Sequence, residues 1–243
     1  SSLKAKYEVS PLEGIKARLG DGAEVIYSPG YASPAVKEQD VLGAEEPDKM
    51  EIDADALRND AVKWAKDADV VFFVGGLNKN DGQDCEGNDR SSLSLPYEQD
   101  QLIAELAKAN PNTVVVIISG NAVAMPWVKQ VPAIVEAWYS GTEAGNALAS
   151  ILFGDVNPSG KLPFTFPARL EDNGAHALGE HPGDSINVKY NESIFVGYRW
   201  ADKQKKTKPL FAFGHGLSYT TFAYGKATAT KKSLTADETI TFT

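Results

Sequence analysis

The sequence holds a single cysteine, Cys85, among 243 residues. One thiol cannot close an intrachain disulfide, and it leaves no cysteine-based metal cluster to build. Basic residues are also scarce. Lys and Arg number 24 against 33 Asp and Glu, a net charge of −9, and no basic stripe is present, which argues against nucleic acid as a partner. No run of about 18 apolar residues occurs, so no membrane-spanning helix is encoded. The Gly-x-Gly-x-x-Gly and Gly-x-x-x-x-Gly-Lys patterns are missing, which weakens a nucleotide reading of the Ser119-Gly-Asn turn. The Gly-x-Ser-x-Gly elbow of serine hydrolases is missing too. There are three histidines; His176 and His181 lie near Asp172, Glu180 and Asp184, but at no common metal-ligand spacing. Neither a metal nor another cofactor is expected. An initiator Met and a signal-peptide pattern are lacking as well, and the last residues, Thr239 to Thr243, stop inside a β-alternating run. Both ends therefore read as cuts in a longer protein.

What is present is an alternation of helix and strand signals, and 42% hydrophobic residues are enough for one full core plus a small second unit. Residues 11 to 19 form a short amphipathic segment opened by Pro11 and closed by Gly20, a helix signature. Apolar residues at 54, 57, 61, 64, 65 and 68 have helical spacing, and 97 to 109 repeats that pattern. Val70 to Val74 and Thr113 to Ile118 are continuous apolar runs, as strands buried on both faces require. A strand at 23–27, a short helix at 123–129, a strand at 133–138 and a helix at 143–153 complete the order. The pattern predicts a three-layer α/β sandwich around a mostly parallel sheet. Residues 157–218 are rich in Gly, Pro and aromatics, with one strand-like piece at 194–200. From Phe222 on, alternation predicts strands of a second unit, too few to stand alone. The expected division is 1–218 and 219–243.

One loop concentrates charge. After the strand at 70–74, the stretch Asp81-Gly-Gln-Asp-Cys-Glu86-Gly-Asn-Asp-Arg90 carries five ionisable carboxyl and guanidinium groups. Asp81, Asp84, Glu86 and Asp89 cannot all be buried, since an unpaired carboxylate in the interior is costly, and Arg90 can neutralise only one. The loop leaves the end of a strand, where open α/β sheets place their sites. A carboxylate presented to a cleft is the expectation; a solvated loop carboxylate is the bland reading. Asn78 and Asn80 read as strand-end caps or as hydrogen-bond donors to a ligand. Cys85 reads as a packing residue, and His215 in Gly-His-Gly as a turn residue. Trp127, Trp138 and Trp200 read as core or interface.

Several segments together resemble one family. They are Glu86-Gly-Asn-Asp-Arg90 with Leu93-Ser-Leu-Pro96, Ser119-Gly-Asn, Ala137-Trp-Tyr-Ser-Gly-Thr-Glu-Ala-Gly145, and Gly154 to Pro167. Tyr190-Asn-Glu-Ser-Ile-Phe-Val-Gly-Tyr-Arg199 and Phe211 to Phe222 complete the set. In this order they resemble the C-terminal part of glycoside hydrolase family 3, the β-glucosidase and β-xylosidase family. Ser193 departs from it, standing where Gly usually follows the Glu. The resemblance implies an N-terminal (β/α)8-like barrel that is absent here and carries the nucleophilic Asp. It also implies an α/β sandwich and, at 219–243, the start of a fibronectin type III-like domain. The position matching the family's acid/base Glu is Glu86. Asp84, Asp89 and Arg90 are the accompanying candidates for sugar contacts. Asp89 and Arg90 also read as a loop-fixing ion pair, and Asp84 as a lesser rival for the acid/base role.

The chemistry accounts for a carboxyl on such a loop. A retaining glycosidase needs one carboxylate to attack the anomeric carbon and a second carboxyl, about 5–5.5 Å away, to protonate the leaving oxygen. That acid must then serve as base, so its pKa belongs near the working pH. The expected function is the acid/base part of a retaining exo-acting β-glycosidase, a β-glucosidase first and a β-xylosidase next. The expected partners are a β-linked oligosaccharide and the barrel of the same enzyme, without which the chain is expected to be inactive. A homodimer and a periplasmic or secreted location are compatible with the same reading. The alternative is a non-catalytic carbohydrate-binding or scaffold domain of the same fold.

Overall fold

The structure is a computed structural model that describes residues 5–32, 53–80, 82–184, 186–204 and 208–243. Asp81 of the charged loop lies outside the described residues. Three strands form one parallel sheet in the order β1 (Val71–Gly76), β2 (Thr113–Ile118) and β3 (Ala133–Glu136). Val71 pairs with Thr113 and Gly76 with Ile118, while Val114 pairs with Ala133 and Ile117 with Glu136. β2 is central and its sequence, Thr-Val-Val-Val-Ile-Ile, is almost wholly β-branched, which suits a pleated surface covered on both sides. Helices α2 (Ala54–Ala65) and α3 (Gln99–Ala109) cover one face, and α4 (Ala144–Leu152) covers the other. The alternation of side chains is visible at Phe72 and Phe73. Phe72 meets Phe153, just after α4, edge-on at 6.0 Å, whereas Phe73 turns to Tyr31 and the buried core with Leu102, Ile103 and Leu106. The expected three-layer α/β architecture is therefore present.

Helix α1 (Pro11–Leu19) opens with a capping box between Ser10 and Glu13, has Pro11 in its first turn and ends at Gly20. It crosses α4 backbone to backbone. A Cβ on Gly14 would stand 2.1 Å from Gly145 O, and one on Gly145 would stand 2.0 Å from Ser10 O. Bonds from Val9 N–H to Thr142 O (2.8 Å) and from Gly145 N–H to Val9 O (2.9 Å) use this approach.

Four expectations are corrected. Residues 23–27 join no ladder among the described residues, and Tyr27 is exposed. Residues 123–129 make turns rather than a helix, because Pro126 brings no N–H and the chain closes through short Val128–Met125 and Gln130–Trp127 bonds. The run at 194–200 is a turn followed by α6 (Tyr198–Lys203), after the short α5 (Gly174–Ala177). Its apolar alternation does not serve sheet burial, since Ile194 and Val196 are both exposed. Finally, the terminal alternating residues pair only with each other, through an antiparallel bridge between Ala229 and Phe242. Residues 186–224 also expose many large apolar side chains, with Ile186 at 89% and Tyr224 at 93%.

Candidate active site

The charged loop runs between the end of β1 and the start of α3, and both roots are fixed by one buried side chain. Gln99 accepts from Gly76 N–H (2.7 Å) and donates to Gly76 O (2.8 Å) and Pro96 O (3.0 Å). Gly76 makes this closure feasible: its φ is +141°, and a Cβ there would lie 2.0 Å from Ile118 O on the neighbouring strand. The amide pair thus joins the two loop roots through a fully buried group that has no water to turn to.

Above this root the loop folds back on itself. Asn78 N–H donates to Gln83 Oε1 (3.0 Å), Asp84 N–H to Asn78 O (2.9 Å), and Asn80 N–H to Asn78 Oδ1 (2.8 Å). Of the two readings of Asn78, these bonds are those of a local cap. Gln83 is buried and donates to Tyr97 Oη at 2.7 Å.

Asp84 then reaches across to the neighbouring strand ends. Its Oδ2 accepts from Gly120 N–H (2.5 Å) and Tyr139 O–H (2.8 Å), and its Oδ1 from Asn121 Nδ2 (2.9 Å). Gly120 and Asn121 follow β2, and Tyr139 follows β3. Burial and this bond to Asp84 both push the Tyr139 hydroxyl above its ordinary pKa, so it stays a donor.

Beneath them lies Glu136, the last residue of β3. Its Oε1 takes long contacts from Ser119 Oγ (3.3 Å) and Trp138 N–H (3.4 Å), and its buried Oε2 has no partner among the described residues. Burial pushes its pKa up to about 8, so the group sits there as a neutral acid at pH 7.

The other half of the loop is held differently. Arg90 donates to Ala122 O (2.8 Å) and Ser94 O (3.4 Å), and Asp89 faces His181 Nε2 at 3.0 Å. The ion pair expected between Asp89 and Arg90 does not form: the guanidinium turns inward to satisfy backbone carbonyls, while Asp89 stays at the surface. Burial holds Arg90 below its usual pKa, opposed by the charge of Asp84. Cys85 Sγ contacts Asn88 O at 3.6 Å, and His215 lies against Phe211, in keeping with their packing and turn readings. Trp127 is fully buried and donates to Asp100 (2.7 Å), while Trp138 joins Phe164 and Phe166 in an aromatic cluster.

Glu86 sits at the top of this framework. It is exposed, and its carboxylate has no hydrogen bond or ion pair among the described residues. A carboxylate offered outward from a loop fixed at both roots can transfer a proton to or from a ligand held against that face, and it has no structural duty to abandon in doing so. The structure brings Asp84 and Arg90 to the base of the loop as braces. It also adds Gln83, Gln99, Asn121, Glu136 and Tyr139, which were not singled out in the sequence as site residues. Asn121 and Tyr139 belong to the Ser-Gly-Asn and Trp-Tyr-Ser-Gly segments, and that was the only sequence signal available for them.

Comparison with known proteins identifies the family of the chain. The family model described as the glycosyl hydrolase family 3 C-terminal domain matches residues 1–219. Beta-glucosidase BoGH3A of Bacteroides ovatus is 52% identical over 244 residues, covering 99% of this chain and 31% of its own length. Thermostable beta-glucosidase B of Acetivibrio thermocellus is 40% identical over 228 residues, covering 94% of this chain and 28% of its own. The crystal structure of a GH3 beta-glucosidase from Bifidobacterium adolescentis superposes with a TM-score of 0.78 at 34% identity, over 96% of this chain and 31% of that one. The chain thus spans about three tenths of the length of these relatives.

Proposed function

This chain belongs to the glycosyl hydrolase family 3 C-terminal domain family, and from that premise we propose that it supplies the acid/base carboxyl, Glu86, to a retaining β-glucosidase. The observation that carries the proposal is the setting of Glu86: an exposed carboxylate with no partner among the described residues, on a loop whose base is hydrogen-bonded to three strand ends. The relatives named as beta-glucosidases are about three times longer than this chain. A barrel domain of the same enzyme is therefore the proposed source of the nucleophile and of most sugar contacts.

In the proposed reaction the nucleophilic carboxylate forms a bond to the anomeric carbon as the bond to the aglycone oxygen breaks. Glu86 gives its proton to that oxygen, and the alcohol leaves. Glu86, now a carboxylate, takes a proton from water as the water oxygen attacks the same carbon. The sugar–enzyme ester breaks and the nucleophile is restored. Each half-reaction needs Glu86 within hydrogen-bond reach of the oxygen it serves.

The test is Glu86→Ala in the full-length enzyme, assayed on aryl β-glucosides. The expected loss is about 10²–10⁴-fold on poor leaving groups, the usual contribution of general acid–base catalysis. It should shrink on dinitrophenyl glucoside, which needs no proton to leave. Azide should restore turnover by forming the glycosyl azide, because it attacks without giving up a proton. Near-normal activity of the variant on every substrate would sink the proposal.

A further inference from the structure

The loop bearing Glu86 is fixed unevenly along its length: densely just before Glu86, and after it only from Asp89, which faces His181, and Arg90, which donates to Ala122 O and Ser94 O. Upstream of Glu86, every residue from Asn78 to Asp84 that the structure describes, except Lys79 and Gly82, is tied by a hydrogen bond to the loop itself or to a strand end. Downstream, Gly87, Asn88 and Asp89 are exposed, and Gly87 has φ +93° with open space around it. Asp84 is the last firmly held residue before Glu86, one residue away across Cys85. Its three donors come from positions 36, 37 and 55 residues distant.

Those donors are themselves well placed. Ser119 Oγ donates to Asn121 O (2.7 Å), which fixes the turn presenting Gly120 N–H and the Asn121 amide. Gly120 has Tyr139 and Asp84 on its open side, with a Cβ there meeting the Tyr139 ring at 3.2 Å and Asp84 Oδ2 at 3.4 Å. Only a group with two acceptor oxygens and no hydrogen serves all three donors. An Asn in place of Asp84 would set its NH2 against one of them. Because the oxygens of Asp84 are engaged within the protein, its part in the reaction is indirect.

We propose that Asp84 is the positioning residue for Glu86: its carboxylate ties the loop to the ends of β2 and β3 and so holds the acid/base group at the height from which it meets the leaving oxygen. This rests on the reading of Glu86 given above. Proton transfer is sensitive to distance, and a misplacement of about 1 Å can cost on the order of 10²-fold in rate. Losing the clamp should therefore mimic a weakened acid, not a weakened sugar site.

The experiment uses the full-length enzyme with Asp84→Asn, Asp84→Ala, Tyr139→Phe, Glu86→Ala and the Asp84→Asn/Glu86→Ala double variant, on phenyl and 2,4-dinitrophenyl β-glucosides. Asp84→Asn is expected to lower kcat/KM on the phenyl substrate about 10–100-fold and to spare kcat/KM on the dinitrophenyl substrate, whose leaving group needs no proton. Tyr139→Phe removes one donor and leaves two, so it should stay folded and show the same pattern at about 3–10-fold, the scale of one ordinary hydrogen bond, because the two remaining donors still hold the carboxylate. In the Glu86→Ala background, Asp84→Asn should add less than about 2-fold, since residues acting through one group are not additive. A loss uniform across substrates, or one that adds fully to Glu86→Ala, would overturn the positioning role while leaving Glu86 intact. Azide rescue of Asp84→Ala but not of Glu86→Ala would make Asp84 the acid/base and overturn both readings. A Glu86→Ala enzyme indifferent to the leaving group would fail the first proposal on its own evidence and carry this one down with it.

Discussion

Glu136 shows how a single buried side chain can tie stability to pH. The native state holds its carboxyl proton up to about pH 8, while the unfolded chain releases it near 4.5. Between those values the native state binds more protons, so stability falls as pH rises. The contribution is complete below about 4.5 and is lost through about 8. Glu136→Gln keeps the shape and removes the titration. The variant should gain on the parent protein by on the order of 3 kcal/mol between pH 5.5 and 8.5, measured as the difference in Tm at the two values. Parallel Tm curves for parent and variant would show that Glu136 titrates normally. Asp100 is likewise raised by burial, opposed by the bonds it accepts from Trp127 and from Leu95 N–H.

At the scale of elements, the crossing of α1 over α4 depends on two glycines meeting. Gly14→Ala places a methyl 2.1 Å from Gly145 O, which a backbone carbonyl cannot clear by turning. Helix propensity favours alanine by about 1 kcal/mol, so a net loss isolates the steric effect. We expect a loss of about 2–4 kcal/mol, with α1 losing amide-exchange protection before β1 and β2 do. Equal or slower exchange in α1 would mean that the crossing can open without cost. These elements differ in how legible they were. Thr113 to Ile118 was readable to the residue because six apolar or β-branched positions in a row leave no solvent face. Pro11 to Leu19 was readable because its end signals, Pro11 and Gly20, are local. Ile194 to Tyr198 misled, since side chains exposed in this structure can alternate as buried strands do. In the site, the motif alone made Glu86 the candidate. The bonds of Asp84 were not legible, because they link the loop to residues 36 to 55 positions away, and no local pattern encodes a tertiary hydrogen bond.

Over the whole molecule, the distribution of apolar surface is lopsided. The sheet and α3 bury their aliphatic side chains well, whereas residues 186–224 leave Ile186, Tyr190, Leu217, Phe222 and Tyr224 largely open to solvent. Soluble monomers seldom leave large contiguous apolar patches uncovered. Produced alone, the chain should bind a hydrophobic dye and self-associate at micromolar concentration despite its net charge of −9. Co-expression with the proposed barrel domain should suppress both. Sedimentation of the two preparations decides the matter, and a chain that stays monomeric and dye-free by itself would show that the apolar side chains are too scattered to attract one another.

The Gln99 closure has a consequence for engineering. One side chain pins the strand end to the helix start, so residues 77–98 leave and re-enter the domain at fixed points in space. Such a segment resembles an interchangeable part. Lengthening it near Gly87, where the surroundings are open, would cost little in closure entropy, about 0.6 kcal/mol for each doubling of a flexible loop. It would move the carboxylate outward without disturbing the sheet, and in the proposed glycosidase a library varying only those few residues is expected to shift the range of aglycones accepted.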